Sequence, residues 1–213
     1  MKFLRLSLFF VIIIVAASWL SKTGIWENNP TGLSPKKIIK EIPDHSANIK
    51  LKEKAVLARS FLFKKGYNNE ICFFIDMSLP SGQNRFFIYD LQNDSLRSQG
   101  LVAHGNCFEN WLEGRRYSNV VGSGCTSLGK YKIGIPYTGK FGYSYKLLGL
   151  DTSNNNAFER TVVLHSHSCV PESEITDDIC QSNGCPTVSP NFLAQIKKII
   201  NASKKPMMLW IYE

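Results

Sequence analysis

Short runs of β-branched and aromatic residues, separated by turn residues, constrain the fold of this chain more than any other feature. Ile71–Met77, Arg85–Leu91 and Ser95–His104 are rich in strand formers, with Pro80-Ser81-Gly82 and Asn93-Asp94 between them. Such runs, bounded by turn residues, are typical of β-strands. Four later runs share the pattern: Leu128–Ile133, Phe141–Leu150, Thr161–His167 and Met207–Tyr212. The sequence therefore predicts a mainly β domain.

Helices are expected to flank this sheet. Between Ala47 and Lys65, apolar residues recur mostly at helical spacing, and Gly66 is a natural helix end because glycine adopts the left-handed conformation easily. The expected apolar face comprises Ile49, Leu51, Val56, Leu57, Phe61 and Leu62. Ser189-Pro190 predicts the start of a final helix. One face of that helix carries Phe192, Ile196, Ile199 and Ile200. The fold class is thus α+β, dominated by strands.

The beginning of the chain predicts export. Lys2 and Arg5 precede Leu6–Leu20, which is nearly all apolar, as in the n-region and h-region of a signal peptide. The run is short for a membrane span, which needs about 20 residues. We expect residues 1–20 to be either a cleaved signal peptide or a membrane anchor through residues 6–20. The expected location is the periplasm or cell envelope. A buried core helix is disfavoured, because the run lies between a basic terminus and a polar linker.

The rest of the chain is expected to form one domain with a lead-in. Residues 21–33 contain Gly, Pro and Asn without periodicity and are expected to be a linker. Residues 34–67 are expected to be a helical lead-in that packs on the domain, including a short first helix from Ser34-Pro35 to Ile42. Residues 68–213 are expected to form the domain itself. With 44% hydrophobic residues, the chain can bury a core.

The charge balance suits an anionic partner but does not require one. Lys and Arg number 25 against 17 Asp and Glu, a net charge of +8. Nucleic acid, an anionic membrane surface or an acidic wall polymer would each be attracted by such a charge, although ordinary solubility is the simpler explanation. No run of Lys or Arg exceeds two residues, and no nucleic-acid motif is visible. We therefore expect no nucleic-acid partner.

The stretch from Val162 to Pro186 carries the chemistry. A predicted strand brings His165 to its end, and after a polar loop the chain reads Ser-Asn-Gly-Cys-Pro at 182–186. A thiol just after a glycine, with a histidine at the end of a preceding strand, is what a cysteine nucleophile with a general base requires. An imidazole beside Cys185 would lower the pKa of its thiol. The N–H groups of Gly184 and Cys185 could point at an oxyanion.

A zinc site is the alternative for the same stretch. His165, His167 and Cys169 alternate along the strand and would share one face. Together with Cys180 or Cys185 they could bind zinc tetrahedrally. The spacing is not a common zinc signature, and a disulfide at Cys169 would remove one ligand.

The six cysteines are expected to include disulfides, because an exported protein meets an oxidising environment. Cys169 and Cys180 bracket a short acidic loop and are the first candidate pair. Cys107 and Cys125 are the second. Cys72 lies inside an apolar run and is expected to be a buried thiol.

Several segments, taken in order, resemble the murein L,D-transpeptidases of the YkuD-like fold. That family has a strand ending in His and, after a loop, Ser-x-Gly-Cys, with Pro following in one branch. Val163–His165 and Ser182–Pro186 match these two pieces. Leu101–Gly105, Ser127–Tyr131 and Tyr137–Ser144 resemble further segments of that branch. The resemblance covers about residues 68–213 and implies a YkuD-like β-sandwich.

The resemblance also implies a catalytic role for each matching residue. Cys185 would attack the carbonyl that precedes D-alanine in a peptidoglycan stem peptide, and His165 would be its base. The backbone carbonyl of Ser166 would hold the imidazole tautomer, and the N–H groups of Gly184 and Cys185 would form the oxyanion hole. The candidate substrate-binding residues are Ser182, Asn183, Tyr143 and His104.

The reaction implied is L,D-transpeptidation. A thioester acyl-enzyme would form, and the amine of a second stem peptide would resolve it into a 3→3 cross-link. Water as the acceptor would make the same site an L,D-carboxypeptidase. The resemblance implies no metal and no organic cofactor, and peptidoglycan stem peptides as partners. We expect a monomer. A catalytically silent wall-binding protein is a further alternative, which the intact Cys185 and His165 disfavour.

Three positions depart from the family pattern. Ser166 and Asn183 replace a common glycine and a common histidine or aromatic residue, and Gln181 stands where this branch often has arginine. The last change matters most, because arginine would bind a substrate carboxylate with two hydrogen bonds. The candidates to replace it are Lys140, Arg115, Arg116 and Arg160. The insertion between Cys169 and Cys180 is expected to form a lid or rim.

Overall fold

This computed structural model describes residues 45–213, which contain nine strands and two helices. The helices are α1 (His45–Lys65) and α2 (Pro190–Ala202). The strands are β1 (Ile71–Asp76), β2 (Phe86–Asp90), β3 (Ser95–Gly100), β4 (Val102–Ala103), β5 (Gly129–Gly139), β6 (Gly142–Gly149), β7 (Val163–Ser166), β8 (Thr187–Val188) and β9 (Met208–Tyr212). The predictions for residues 1–20, residues 21–33 and the helix from Ser34-Pro35 to Ile42 lie outside the described residues.

All nine strands belong to one mixed sheet in the order β3-β2-β1-β9-β5-β6-β7-β8-β4. The pairs β1–β9 and β7–β8 are parallel, and the other pairs are antiparallel. The two edge strands, β3 and β4, follow each other in the chain with only Leu101 between them. Residues from opposite ends of the strand order, such as Ile88 and Val188, share one buried cluster. The sheet therefore curls around a common core, and the predicted mainly β domain with flanking helices is confirmed.

Helix α1 packs on the outer face of β1, β2 and β9. Its buried residues are Leu51, Ala55, Ala58 and Leu62, and they share a cluster with Phe74, Tyr89, Met208 and Tyr212. The predicted apolar face is partly wrong, because Ile49, Val56 and Leu57 are 48%, 59% and 58% exposed. Two alanines allow the helix to approach the sheet closely, so the buried stripe follows the small residues. None of the helices in residues 45–213 is long and apolar enough to cross a membrane.

The helix ends match their sequence signals. Gly66 has φ +71°, and the N–H groups of Tyr67 and Gly66 donate to the carbonyls of Leu62 and Phe63 at 3.0 and 3.4 Å, which is a Schellman motif. Ser189 begins α2, where its hydroxyl accepts the N–H of Phe192 at 3.3 Å. Phe192, Leu193 and Ile196 are buried, and Ile199 and Ile200 pack against the same core. The predicted start and face of α2 are confirmed.

The cysteines pair as predicted. Disulfides join Cys107 to Cys125 and Cys169 to Cys180, while Cys72 is buried and free. The insertion closed by the second disulfide is held against the domain at two points. Asp178 accepts the hydroxyl of Ser81 at 2.5 Å, and Glu174 accepts the N–H of Asn84 at 2.7 Å. The loop is thus fastened to the turn between β1 and β2.

Candidate active site

Two parallel strands bring the predicted nucleophile and base to one place. In the β7–β8 pair, His165 lies opposite Thr187, and Cys185 lies two residues before Thr187. Leu164 and Val188 face the core, so the alternating residues His165 and Thr187 lie on the opposite side of the sheet. Cys185, His165 and Thr187 line a pocket of about 210 Å³. The other lining residues are Ala103, Phe141, His167, Cys169, Cys180, Gln181, Ser182 and Asn183.

Hydrogen bonds at both ring nitrogens define the state of His165. Its Nδ1 lies 3.2 Å from the carbonyl oxygen of Ser166, which can only accept, so Nδ1 carries the hydrogen. The hydroxyl of Thr187 lies 3.0 Å from Nε2 and donates to its lone pair. Burial lowers the pKa of His165, so the ring is neutral at neutral pH. Phe141 stacks on the ring with centroids 4.4 Å apart. The imidazole is therefore held as a neutral base with its lone pair on Nε2.

Cys185 has a free thiol inside the pocket wall. Its sulfur accepts the N–H of Val163 at 3.5 Å. Burial raises the pKa of the Cys185 thiol, and the opposing effects of the Val163 N–H and the Arg160 guanidinium do not outweigh it. The net direction is opposite to the lowering that the sequence led us to expect, because burial dominates. The resting pair is a neutral thiol and a neutral imidazole.

Ser182 braces the loop that holds the thiol. Its hydroxyl donates to the carbonyl of Cys185 at 2.7 Å and accepts the N–H of Gly184 at 3.2 Å. Gly184 has φ +109°, and a Cβ there would lie 2.8 Å from the carbonyl oxygen of Cys125. Only glycine fits without a shift in the backbone. Since the Gly184 N–H already donates to Ser182, it can serve an oxyanion only by exchanging partners.

The predicted substrate-binding residues divide into two groups. Ser182 and Asn183 line the pocket, whereas Tyr143 and His104 are not among its lining residues. Tyr143 packs partly buried against the core, with Nζ of Lys197 3.9 Å from its ring centre. The structure thus gives Tyr143 a place in the core wall.

His104 is 4% exposed and belongs to a buried polar group. Its Nδ1 accepts a hydrogen bond from Arg85 at 3.0 Å. Burial, helped by the Arg85 charge, lowers the pKa of His104 to about 4, so the ring is neutral. Its backbone carbonyl accepts the N–H of Ser182 at 2.8 Å. His104 therefore reaches the active-site loop through its main chain.

The side chain of Gln181, which stands in place of the family's arginine, is already hydrogen-bonded to the main chain. Its side-chain amide accepts the N–H of Leu112 at 2.9 Å and donates to the carbonyl of Leu112 at 2.8 Å. Two of the basic candidates are also engaged by other groups and do not line the pocket. Arg115 donates to the carbonyls of Leu79 and Ser78, and Arg116 pairs with Glu109.

The remaining two basic candidates lie nearer the site. Arg160 donates to the carbonyls of Ser118 and Cys125 and to the hydroxyl of Ser127, which places its guanidinium behind Gly184. The Nζ of Lys140 lies 5.7 Å from the ring centre of Phe141, the residue that stacks on His165. Lys140 is thus the basic candidate next to a pocket-lining residue, Phe141.

The zinc alternative is contradicted by the geometry. Cys169 and Cys180 are bonded to each other, and Nδ1 of His167 accepts the N–H of Cys169 at 3.1 Å. Within residues 45–213, no three His, Cys, Asp or Glu side chains are grouped to bind a metal ion.

Sequence reasoning missed Thr187 and Phe141 as neighbours of the base. β8 has only two residues, so no strand pattern predicted it, and its parallel pairing to β7 is what places Thr187 at Nε2. Phe141 lies in the β5–β6 turn and reaches His165 because Ser144 pairs with His165 across β6–β7. Both contacts depend on strand register, which no local signal encodes.

Comparison with protein-family models gave a match to one family. A family model described as the L,D-transpeptidase catalytic domain matches residues 44–212. No curated protein matches the chain. Similar solved structures include an L,D-transpeptidase from Mycobacterium smegmatis, with 10% identity and a TM-score of 0.41 over 68% of this chain and 59% of that one.

Two further solved structures give comparable figures. The helical cell shape determining protein from Campylobacter jejuni has 13% identity and a TM-score of 0.41 over 67% of this chain and 47% of its own. An L,D-transpeptidase from Stackebrandtia nassauensis has 12% identity and a TM-score of 0.38 over 68% and 56%. This chain therefore spans less than two thirds of the length of each of these three proteins.

Proposed function

Because the chain belongs to the family of L,D-transpeptidase catalytic domains, we propose that it is a cysteine acyltransferase acting on peptidoglycan stem peptides. It forms 3→3 cross-links through a thioester acyl-enzyme. The observation that carries this proposal is that the free thiol of Cys185 and the oriented imidazole of His165 line one pocket. The four cysteines in disulfides leave Cys185 as the only pocket thiol among the described residues.

Acylation begins with proton transfer from the thiol to the imidazole. Nε2 of His165 holds the lone pair, and the Thr187 hydroxyl donates to it at rest. The same hydroxyl lies 3.3 Å from the carbonyl of Cys185, a second acceptor. When the hydroxyl turns to that carbonyl, Nε2 becomes available to the thiol proton. Thr187 therefore keeps the ring oriented and releases it for the reaction.

The thiolate then attacks the carbonyl carbon of the diaminoacyl residue that precedes D-alanine. A carbon–sulfur bond forms, the carbonyl electron pair moves to oxygen, and backbone N–H groups of the 184–185 loop stabilise that charge. When the oxyanion collapses, the carbon–nitrogen bond to D-alanine breaks. The leaving amine takes its proton from Nε2 of His165. The thioester and free D-alanine remain.

The second half-reaction reverses these roles. The amine of another stem peptide gives a proton to Nε2 of His165 and attacks the thioester carbonyl. The new amide forms, the carbon–sulfur bond breaks, and the Cys185 thiolate takes the proton back. Water entering in place of the amine would give an L,D-carboxypeptidase, and the products distinguish the two.

Export is part of this proposal, because the substrate lies outside the cytoplasm. It is supported by the basic and apolar pattern of residues 1–20 and by two disulfides, which persist in oxidising compartments. Fractionation of cells that express the full chain would test it. Recovery of the protein in the cytoplasm with reduced cysteines would contradict it.

The experiment for the activity has two parts. Intact-mass spectrometry after incubation with a carbapenem should show one adduct, which Cys185→Ala abolishes and Cys72→Ala retains. Purified muropeptides should then give the 3→3 cross-linked dimer with release of D-alanine. A folded, reduced protein without an adduct would indicate a silent wall-binding protein. Tripeptide without dimer would indicate the carboxypeptidase.

A further inference from the structure

Helix α1 has two apolar faces, of which the sheet covers one. Opposite the buried residues lies an outer stripe formed by Ile49, Val56 and Phe63, which are 48%, 59% and 79% exposed. The three residues are seven positions apart, so on a straight helix each lies only about 20° from the previous one. The three apolar side chains thus lie along one side of the helix, about 10.5 Å apart, with polar residues such as Glu53 and Ser60 between them.

Basic residues border the outer stripe. The helix carries six Lys and Arg residues against one acidic residue, Glu53. Lys52 and Arg59 lie on one side of the stripe, where Arg59 donates to Asp94 at 2.7 Å, and Glu53 and Lys64 lie on the other. Lys52 and Lys64 are exposed. Exposed lysines on both sides of an apolar line suit a membrane interface, because their charged heads can reach the lipid phosphates.

The same spacing disfavours a second copy of the chain as the partner. A coiled-coil seam needs apolar residues three positions after each stripe residue as well. The residues at those positions are Lys52 and Arg59, so two such helices would oppose charge with like charge. The charge and the single apolar line together favour an anionic lipid surface.

We propose that the outer stripe of α1 docks on an anionic membrane surface. This inference is independent of the proposed catalytic activity. The apolar segment Leu6–Leu20 precedes α1 with only residues 21–44 between them, so the chain carries a second lipid-compatible segment close in sequence. Helix α1 packs on the outer face of β1, β2 and β9, and none of its residues lines the pocket at β7 and β8. Docking through α1 therefore leaves the pocket free for the cell wall.

Photolabelling from within the bilayer tests the proposal on the full chain. Vesicles of phosphatidylcholine, with or without phosphatidylglycerol, carry a bilayer-soluble carbene reagent, and mass spectrometry locates the labelled residues. We expect labelling of Val56 and Phe63 to be several-fold higher with the anionic lipid. It should fall when salt rises from about 0.1 M to about 1 M, because salt screens the lysines.

Matched variants distinguish docking through the outer stripe from non-specific hydrophobic binding. Phe63→Ser should abolish the labelling at Val56, whereas Phe158→Ser, at a phenylalanine that is 59% exposed elsewhere, should leave it unchanged. Lys52→Gln with Lys64→Gln should remove the preference for anionic lipid. Labelling confined to residues 6–20, or equal with both lipids, would overturn the proposal. The proposal would also be overturned if the outer stripe were already shielded in the absence of vesicles, since a second copy of the protein or another segment of the chain would then cover it.

Discussion

The protonation state of His165 controls when the thiol can react. The ring must be neutral to accept a proton, and burial lowers its pKa from the ordinary value of about 6.5. As pH falls, the base is lost only on passing this lowered pKa. Because burial raises the pKa of Cys185, its thiol rests in the protonated form and reactivity depends on the base. Chemistry at this site is therefore set by two individual residues and their burial.

The pH dependence of acylation follows directly. We expect the second-order rate of carbapenem acylation to fall on the acid side with a midpoint below about 6.5. Intact-mass kinetics across the pH range measure it. A midpoint at or above that value would contradict the neutral, buried imidazole.

Substitution of Thr187 tests the hydrogen bond to Nε2. Thr187→Val should slow acylation about tenfold, equivalent to about 1.4 kcal/mol, because the ring loses its orientation. It should also move the acid midpoint upward, since the lost O–H donor had stabilised the neutral ring. The control, Thr187→Ser, keeps the hydroxyl and should retain both rate and midpoint. An unchanged pH profile in the valine variant would show that Thr187 does not act on the ring.

At the scale of elements, the ends of a helix and the choice of its buried face have different origins. The Schellman motif of α1 and the N-cap of α2 rest on residues within a few positions of one another. The choice of buried face on α1 rests instead on β1, β2 and β9, which are distant in the chain. Helix ends could therefore be predicted accurately, whereas the face of α1 could not.

Gly66 allows the local contribution to a helix end to be measured. Its φ of +71° suits glycine, and a Cβ there would meet nothing within 4 Å. Gly66→Ala should lower the free energy of unfolding by about 1 kcal/mol through backbone strain alone. Gly66→Asn, which tolerates this conformation better, should cost less. Urea denaturation measures both, and equal stability of alanine variant and parent would exclude a left-handed helix end.

At the scale of the whole molecule, Arg85 ties the two ends of the strand order together. The residue is fully buried, and it precedes β2 near one edge of the sheet. Its Nε and Nη2 donate to the carbonyl of Val102 in β4, the other edge, at 3.0 and 2.7 Å. Nη1 donates to the carbonyl of Leu79 at 3.1 Å. One side chain thus supplies donors that the curled sheet lacks in its backbone.

Removal of this guanidinium should weaken the whole fold. Arg85→Met leaves the carbonyl of Val102 and Nδ1 of His104 without these donors, while Leu79 keeps the one from Arg115, and we expect a loss of about 3 kcal/mol in the free energy of unfolding. The matched control is Arg97→Met in β3, where the side chain is exposed and the change should stay within about 0.5 kcal/mol. Similar losses in both variants would contradict a special role for Arg85.

The sequence by itself determined most strand segments, the helix ends and the candidates for nucleophile, base and disulfide pairs, because these depend on local patterns or on a motif in fixed order. Only the tertiary structure decided that β7 and β8 run in parallel with Thr187 beside Nε2, that His104 is buried against Arg85, and that burial raises rather than lowers the pKa of the thiol. Register and desolvation arise from segments far apart in the chain, so no local stretch of residues encodes them.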